Sequence, residues 1–314
     1  MSVPAVAVVS ARRSPLVVLA IALAAISTSA ILVRFSEAPS LIKAFYRSLF
    51  TTLLLLPLAS TYRGEFRQIS RRDGLFVVVA GIGLAVHFGA WFESLEWTSI
   101  AASVTLVQTQ PIFVAIAAWG LLEERLTPKM VVGIVVALGG SVLMSAGGLL
   151  DGGAVGANPL WGNTLAVLGA VMAAGYLLAG RSLRQRVSLI PYVLIVYGVA
   201  TVVLFGFAAL QAHAFLGYPP REWGLFLAMA IGPGILGHTL INWTLKYVES
   251  TVVSVSLLAE PLGSAFLGLL VFFEVPGLFT ILGGTIVLAG IVLTARERHA
   301  GGSHSGHEFP GSGE

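Results

Sequence analysis

Apolar residues run along the chain in stretches of about 20 positions, separated by short segments that hold most of the charges. A helix of that length crosses a hydrocarbon core of roughly 30 Å. Many of the connecting segments contain Gly or Pro, which favour turns. The pattern predicts an all-α polytopic membrane protein with ten transmembrane helices. The ten predicted spans are 16–33, 40–60, 74–93, 98–121, 128–147, 160–180, 189–211, 223–245, 250–273 and 276–295.

Composition supports a membrane protein and excludes several other classes. Of 314 residues, 56% are hydrophobic and only 11% are charged, with a mean hydropathy of +0.90. A soluble domain needs far more charge, so the lipid bilayer is the expected surrounding. There is no cysteine, which rules out disulfides and thiol chemistry. A net charge of +3 held in short loops is not a nucleic-acid signal.

The positions of Lys and Arg predict the topology. With ten spans and a cytoplasmic N-terminus, most of the 18 basic residues fall on the cytoplasmic side. Cytoplasmic loops of membrane proteins are enriched in Lys and Arg, so both termini are expected to be cytoplasmic. The residues on that side are Arg12, Arg13, Arg63, Arg67, Arg71, Arg72, Arg125, Lys129, Arg181, Arg184, Arg186, Lys246, Arg296 and Arg298.

A repeat divides the chain into two copies. His87 sits within an apolar run, and His238 sits in a similar run 151 positions later. Other residues recur at nearly the same offset. The first set is Gly81, Gly83, Ser103, Pro111, Glu124, Gly133 and Gly140; its counterparts are Gly232, Gly234, Ser254, Pro261, Glu274, Gly283 and Gly290.

Each copy holds five predicted spans, and because five is odd the second copy enters the membrane from the opposite side. Inverted repeats of this kind place a substrate site near the bilayer midplane, between the copies. The predicted organisation is a cytoplasmic tail (1–15), a first five-helix repeat (16–147), a connecting loop (148–159), a second repeat (160–295) and a disordered tail (296–314).

The duplicated five-span unit, with its Pro, Glu and Gly at matched spacing, resembles the EamA family of the drug/metabolite transporter superfamily. The resemblance covers roughly residues 16–295. It implies a prokaryotic inner-membrane carrier that works by alternating access. It also implies a central cavity lined by spans one to four and six to nine, with spans five and ten at the periphery. Many members export amino acids and related metabolites, which makes such a compound, and export, the expected function.

Polar residues inside the predicted spans are the candidate site. A polar group in hydrocarbon must find a partner or a water-filled cavity. His87 and His238 are therefore expected either to line the cavity and handle protons, or to form a hydrogen bond between helices. Tyr176, Trp91 and Trp243 are candidates for an aromatic wall, with ordinary packing as the alternative. The full set expected to line the cavity is His87, Trp91, Gln110, Tyr176, His238, Asn242, Trp243, Glu260, Tyr46, Arg47, Ser27 and Thr28.

Gln110 and Glu260 each precede a repeated proline. Pro111 and Pro261 remove a helical hydrogen bond and are predicted to kink their spans. Buried Glu260 is expected to couple proton movement, with His87 and His238 as further candidates, or to bind a substrate ammonium group. The alternative is a fixed ion pair with Lys43 or Arg47.

The remaining expectations concern span two and the glycines. Lys43 and Arg47 share a helical face that could attract an anion. Alternatively Lys43 reaches the interface, while Arg47 pairs with Glu260 or Glu93. Glu124 and Glu274 are expected to act at helix ends or to pair with nearby basic groups. The glycines of spans five and ten favour close helix packing and a possible homodimer.

No phosphate loop, HExxH or GxSxG motif is present, so we expect no enzyme activity and no cofactor. Three histidines in the C-terminal tail, His299, His304 and His307, do not make a convincing metal site. The sequence thus predicts a secondary transporter for a small metabolite. The alternatives are an uncoupled facilitator or exchanger, and a membrane protein without transport activity.

Overall fold

The computed structural model describes residues 14–98, 100–150, 157–273 and 277–302. Within these residues the chain is helical and has no strand. The helices are α1 (Pro15–Phe35), α2 (Ser40–Leu55), α3 (Arg63–Gln68), α4 (Arg71–Trp97), α5 (Ile100–Val107), α6 (Gln110–Leu122), α7 (Pro128–Leu150), α8 (Pro159–Leu183), α9 (Leu189–Leu210), α10 (Pro220–Met229), α11 (Leu240–Thr244), α12 (Ser250–Ser256), α13 (Glu260–Phe272) and α14 (Leu278–Gly302). A π-helical segment, Ala230–Thr239, joins α10 to α11.

In the described part of the chain, seven helices or continuous helical segments are long and apolar enough to cross a membrane. Three shorter apolar helices, Gln110–Leu122, Pro128–Leu143 and Ile281–Arg296, fall in the predicted spans four, five and ten. The prediction of an all-helical, polytopic membrane protein is confirmed.

Local sequence explains where several helices begin. Ser70 caps α4, because its hydroxyl accepts a hydrogen bond from the Asp73 amide at 3.0 Å. Asn158 caps α8 in the same way, accepting from the Trp161 amide at 3.2 Å. Proline, which needs no amide partner there, stands at the start of α1, α8 and α10.

The helices of predicted spans four and nine are interrupted before their prolines. α5 ends at Val107 and α6 begins at Gln110, while a 3₁₀ turn, Leu257–Ala259, separates α12 from α13. The two helices also end alike, since Glu123 and Phe273 both adopt a left-handed conformation with φ near 55° and 58°. The two copies therefore share backbone features as well as sequence.

The core joins the two halves of the chain. α4 packs along both α8 and α9, and α1 packs against the π-helical segment and α13. α7 and α14 pack along each other, with Gly133 and Gly140 facing Gly290 and Gly283. The glycine faces predicted for close packing thus contact each other within one chain.

The helix α14 continues past the boundary predicted for it. It extends to Gly302, so residues 296–302 are helical and do not belong to a disordered tail. Residues 303–314 and 1–13, together with Glu274, lie outside the described part of the chain.

Hydrogen bonds gather the connecting segments at two ends of the bundle. At the end we call the basic end, Arg186 binds Asp73 and Ser188 donates to Glu65. At the far end, Ser36 donates to Glu222, and the Asn158 amide donates to the Trp97 carbonyl. The predicted cytoplasmic segments therefore meet at one end, and the predicted outer segments meet at the other.

Candidate functional site

Arg47 is a buried cation in the middle of the bundle. It lies on α2 and is only 7% exposed. Its guanidinium carbon lies 4.6 Å from the centre of the Phe88 ring, a cation–π contact. Among the described residues its side chain has no hydrogen bond and no ion pair. Burying a charge without such partners is costly, and this is the usual mark of a functional group.

The two repeated histidines lie on either side of Phe88. The ring centres of His87 and His238 lie 5.0 and 5.6 Å from the centre of Phe88. His87 Nδ1 lies 2.8 Å from the Gly169 carbonyl oxygen and donates to it, so His87 bridges α4 and α8. His238 Nδ1 is buried and has no partner among the described residues. The structure thus brings the pair together but gives its members different surroundings.

Asn242 connects His238 with Tyr176. Its amide nitrogen donates to the Tyr176 hydroxyl and, at 2.8 Å, to the His238 carbonyl oxygen. Its Oδ1 atom is buried and unpartnered within the described chain. Tyr176 lies 6.4 Å from His238, ring centre to ring centre. Nearby, the Tyr197 hydroxyl lies 3.1 Å from that of Thr239.

Glu260 begins α13, directly after the 3₁₀ turn. The Ser27 hydroxyl donates to its carbonyl oxygen at 3.3 Å, which ties α13 to α1. Its carboxylate has no hydrogen bond or ion pair within the described residues. It is close enough to Arg47 for the two opposite charges to attract each other. The predicted fixed ion pair between them is therefore absent, although the attraction is present.

Two further buried donors have no partner within the described residues. Trp91 stacks on His87, with ring centres 5.9 Å apart, and its Nε1 atom is unpartnered. Gln110 stands in the first repeat where Glu260 stands in the second, and its Nε2 atom is also unpartnered. We call Arg47, His87, Phe88, Trp91, Tyr176, His238, Asn242 and Glu260 the central cluster.

Two residues predicted to line the cavity lie elsewhere. Tyr46 packs at the far end, stacked on Phe226 at 4.8 Å, and its hydroxyl donates to the Phe215 carbonyl. Trp243 packs against Tyr247 at 4.6 Å, close to the basic end. Helical spacing was compatible with both residues lining the cavity, but each ring packs against an aromatic neighbour instead.

Ser27 and Thr28 satisfy their hydroxyls within α1. Ser27 donates to the Leu23 carbonyl at 2.8 Å, and Thr28 donates to that of Ala25 at 2.6 Å. Ser27 also lines a cavity of about 550 Å³ among α1, α13 and α14. Their contacts are those of helix-packing hydroxyls.

Lys43 and Glu93, which were predicted as possible partners of Glu260 and Arg47, bind other groups. Lys43 Nζ donates to the Val33 carbonyl at 3.2 Å rather than to Glu260. Glu93 accepts from Trp97 at 3.0 Å and from Gln211 at 3.2 Å, so it is not the partner of Arg47. Arg47 therefore stands alone as the cation of the central cluster.

The model of the EamA-like transporter family matches residues 14–146 and again residues 160–296. The chain belongs to this family. Each copy of the repeat carries one match, and together the matches span most of the chain. The resemblance noted in the sequence is thereby confirmed, and the protein is a multi-pass membrane protein of a transporter family.

Curated relatives of this EamA-like chain are named as transporters. An uncharacterized transporter of Archaeoglobus fulgidus is 24% identical over 257 residues, which is 82% of this chain and 88% of that protein. The pseudopaline exporter CntI of Pseudomonas aeruginosa is 25% identical over 254 residues, 81% of this chain and 85% of that protein. A crystal structure with 20% sequence identity superposes with a TM-score of 0.76, covering 92% of this chain and 99% of that one, and shows a shared fold.

At the basic end, Glu124 holds the EamA-like repeats together. Its carboxylate accepts from the Ser250 amide at 2.9 Å, the Ser250 hydroxyl at 3.0 Å and the Thr251 amide at 3.3 Å. Arg181 Nε lies 3.2 Å from the same carboxylate and also donates to the Leu245 carbonyl at 3.0 Å. We call Glu124, Arg181, Ser250 and Thr251 the basic-end clamp.

Arg184 adds a second cross-link beside the basic-end clamp. Its Nε donates to the Asn242 carbonyl at 3.2 Å, and its Nη1 donates to that of Val187. Burial lowers the pKa of Arg184 to about 10. Because Asn242 belongs to the central cluster, this contact joins the cluster to the basic end.

The far end has a counterpart clamp built on Glu222. This carboxylate is 3% exposed and accepts from the Ser36 hydroxyl at 2.5 Å and the Glu37 amide at 3.0 Å. Arg221 donates to the Phe35 carbonyl at 3.0 Å. The sequence predicted that Glu124 acts at a helix end or pairs with a nearby basic group, and its ion pair with Arg181 agrees with the second alternative. Its hydrogen bonds to Ser250 and Thr251, and the clamp at Glu222, were not predicted.

Proposed function

We propose that the protein is a secondary transporter that moves a small zwitterionic metabolite, an amino acid or related compound, by alternating access. One observation carries the proposal. Arg47 is buried and Glu260 is half-buried, the two carry opposite charges in one cluster, and neither has a hydrogen bond or ion pair among the described residues. A substrate carrying both a carboxylate and an ammonium group would satisfy both charges.

The chemistry of the cluster fits such a substrate. A guanidinium binds a carboxylate strongly, commonly through two parallel hydrogen bonds. The unpartnered donor Trp91 Nε1 offers a further hydrogen bond to a substrate oxygen. Glu260 supplies the anion for the ammonium group. Phe88, between the histidines, offers a face for an apolar side chain.

The proposal includes ten spans arranged as two inverted repeats. The seven long spans support this count, because the three shorter apolar helices would bring the number of crossings to ten. The segregation of connecting segments to two ends supports the same count, because an extra or missing crossing would mix them. The basic end would then face the cytoplasm of a prokaryotic cell, with both termini on that side.

Alternating access requires contacts that open in turn. The basic-end clamp and the Glu222 clamp lie at opposite ends, and each joins segments from both halves of the chain. Opening the first would expose the central cluster to the cytoplasm, and opening the second would expose it to the outside. We propose export, because the related CntI is named an exporter.

We assign proton coupling to Glu260. Its carboxylate is unpaired, so it is free to exchange a proton as the cluster opens to either side. His238, with an unpartnered Nδ1, is the second candidate. His87 is the weakest, since its Nδ1 proton is engaged by the Gly169 carbonyl. A homodimer through α7 and α14 remains part of the proposal, and it would use their outward apolar faces.

The test is transport into proteoliposomes of a mixed panel of amino acids, read by mass spectrometry. Each amino acid is paired with its methyl ester and its N-acetyl derivative, which lack one charge. We expect flux for compounds that keep both charges and little for either derivative. Arg47→Gln should abolish the flux of the free amino acids, whereas the exposed Arg63→Gln should not. Equal flux of all three forms would refute the charge assignment, and no flux from folded protein would refute transport of this class.

A further inference from the structure

A cavity distinct from the one lined by Ser27 lies beside the central cluster. It has a volume of about 1010 Å³ and lies among α4, α8 and the end of α6. Its walls are mainly apolar and include Val79, Ile82, Leu121 and Met172. Cavities of several hundred to about 1,000 Å³ with such walls are typical of sites for small organic molecules.

The cavity opens toward the side of the bundle. Val79 is 54% exposed and Leu121 is 76% exposed, and both line its edge. They belong to apolar helices of a membrane protein, so what they face at this depth is lipid rather than water. A molecule dissolved in the bilayer could therefore reach the cavity without entering water.

One rim of the cavity carries a positive charge that makes no hydrogen bond or ion pair within the described residues. Asp73 accepts from Arg186 at 3.0 and 2.8 Å and from the Ser70 hydroxyl at 2.8 Å, so its carboxylate is fully engaged. Arg72, on the same rim, lies over the Phe76 ring at 5.8 Å and has no hydrogen bond or ion pair among the described residues. The rim thus offers a cation to a ligand.

The inner wall of the cavity is shared with the central cluster. Tyr176 lines the cavity, and its hydroxyl accepts a hydrogen bond from Asn242. Two glycines, Gly83 and Gly175, keep the wall free of side chains. A Cβ atom built on Gly175 would meet no atom within 4 Å, so a larger side chain there would project into open space.

We propose that this cavity is a binding site for an amphipathic anion that partitions into the membrane. The apolar part of the ligand lies against Val79, Ile82 and Met172, and its anionic group pairs with Arg72. This site is separate from the zwitterion site of the central cluster, and its occupation does not depend on transport. Because both sites share Tyr176, a bound ligand would also restrict the movement of that side chain.

The experiment uses the full chain in lipid nanodiscs and palmitic acid that carries a photoreactive diazirine on its chain. At alkaline pH, where the carboxyl group is ionised, illumination should label peptides from α4 and α8. Gly175→Leu fills the cavity and should abolish this labelling. Gly139→Leu is the matched control, because Gly139 is also exposed and has no atom within 4 Å of a built Cβ.

The role of the Arg72 charge is tested separately from the role of the cavity's shape. Arg72→Gln removes a pair worth up to about 1 kcal/mol, and should weaken labelling up to about fivefold. Arg72→Lys should retain it, and the neutral methyl ester of the probe should label as weakly as Arg72→Gln does with the acid.

Equal labelling of Gly175→Leu and Gly139→Leu would overturn the proposal, as it would show only adventitious contact with the lipid-facing surface. Equal labelling by acid and ester would overturn the assignment of an anion. Since labelling is read without any flux, these failures are distinct from a failure of the transport proposal.

Discussion

The contact that most directly links the two repeats is the basic-end clamp, and Glu124→Gln tests it. Glutamine has nearly the same shape as glutamate but replaces one carboxylate oxygen with an amide donor. That donor would replace either Oε1, which accepts from the Ser250 amide at 2.9 Å, or Oε2, which accepts from the Thr251 amide at 3.3 Å. Two donors would then oppose each other in a buried site.

The magnitude follows from the hydrogen bonds lost. A hydrogen bond to a charged group contributes about 1.5–3 kcal/mol, and an unsatisfied buried donor costs a further amount of similar size. Glutamine keeps one acceptor oxygen and loses the charge that pairs with Arg181. We therefore expect a loss of about 3 kcal/mol, which corresponds to a fall in Tm of roughly 4 to 5 °C for a chain of this size.

The measurement is thermal unfolding in detergent, with Glu123→Gln as the control. Glu123 is adjacent and exposed, so its change should leave the Tm within about 1 °C, as expected for surface substitutions. The protein has no cysteine, so one cysteine at Ser256 also reports opening of the clamp by its reaction with a maleimide. An unchanged Tm and labelling rate in Glu124→Gln would refute the idea that this carboxylate holds the basic end closed.

Three further predictions concern packing and the central cluster. Gly140→Ala should lower stability by about 1–3 kcal/mol, because its Cβ would lie 2.6 Å from the Gly283 carbonyl oxygen. Gly139→Ala should be neutral or stabilising, and thermal unfolding compares the two variants. Arg47→Met should keep or raise the Tm while abolishing flux, since it removes an unpaired buried charge; a Tm lowered by several degrees would contradict this. Asn242→Ala should cost about 1–3 kcal/mol by leaving Tyr176 without its donor, and chemical denaturation that shows no loss would count against the contact.

Much of the architecture could be predicted because helices in lipid must satisfy their own backbone hydrogen bonds. Long apolar runs therefore revealed the helices. Matched positions such as His87 and His238 revealed the repeat, and the structure brings them around one ring, that of Phe88. The family assignment followed from the same duplicated pattern.

The sequence did not reveal which polar residue meets which partner. Helical spacing assigns a residue to a face, but it does not say what lies opposite. Tyr46 and Arg47 are neighbours, yet the first packs at the far end and the second enters the central cluster. The sequence did not single out Tyr197, since a tyrosine in an apolar run is usually a packing residue. Its hydroxyl contact with Thr239 depends on the π-helical segment, which the sequence did not predict.

The measurement that tests the central claim most directly compares two assays in the same proteoliposomes. One follows accumulation of a transported amino acid driven by an imposed pH gradient, and the other follows its exchange at equal pH on both sides. The account predicts that wild-type protein performs both. Glu260→Gln should lose the response to the gradient and retain a slower exchange, because the glutamine amide oxygen can still accept a hydrogen bond from the ammonium group. Gradient-driven accumulation that persists in Glu260→Gln would contradict the role assigned to this carboxylate, and the absence of both activities in folded wild-type protein would contradict transport itself.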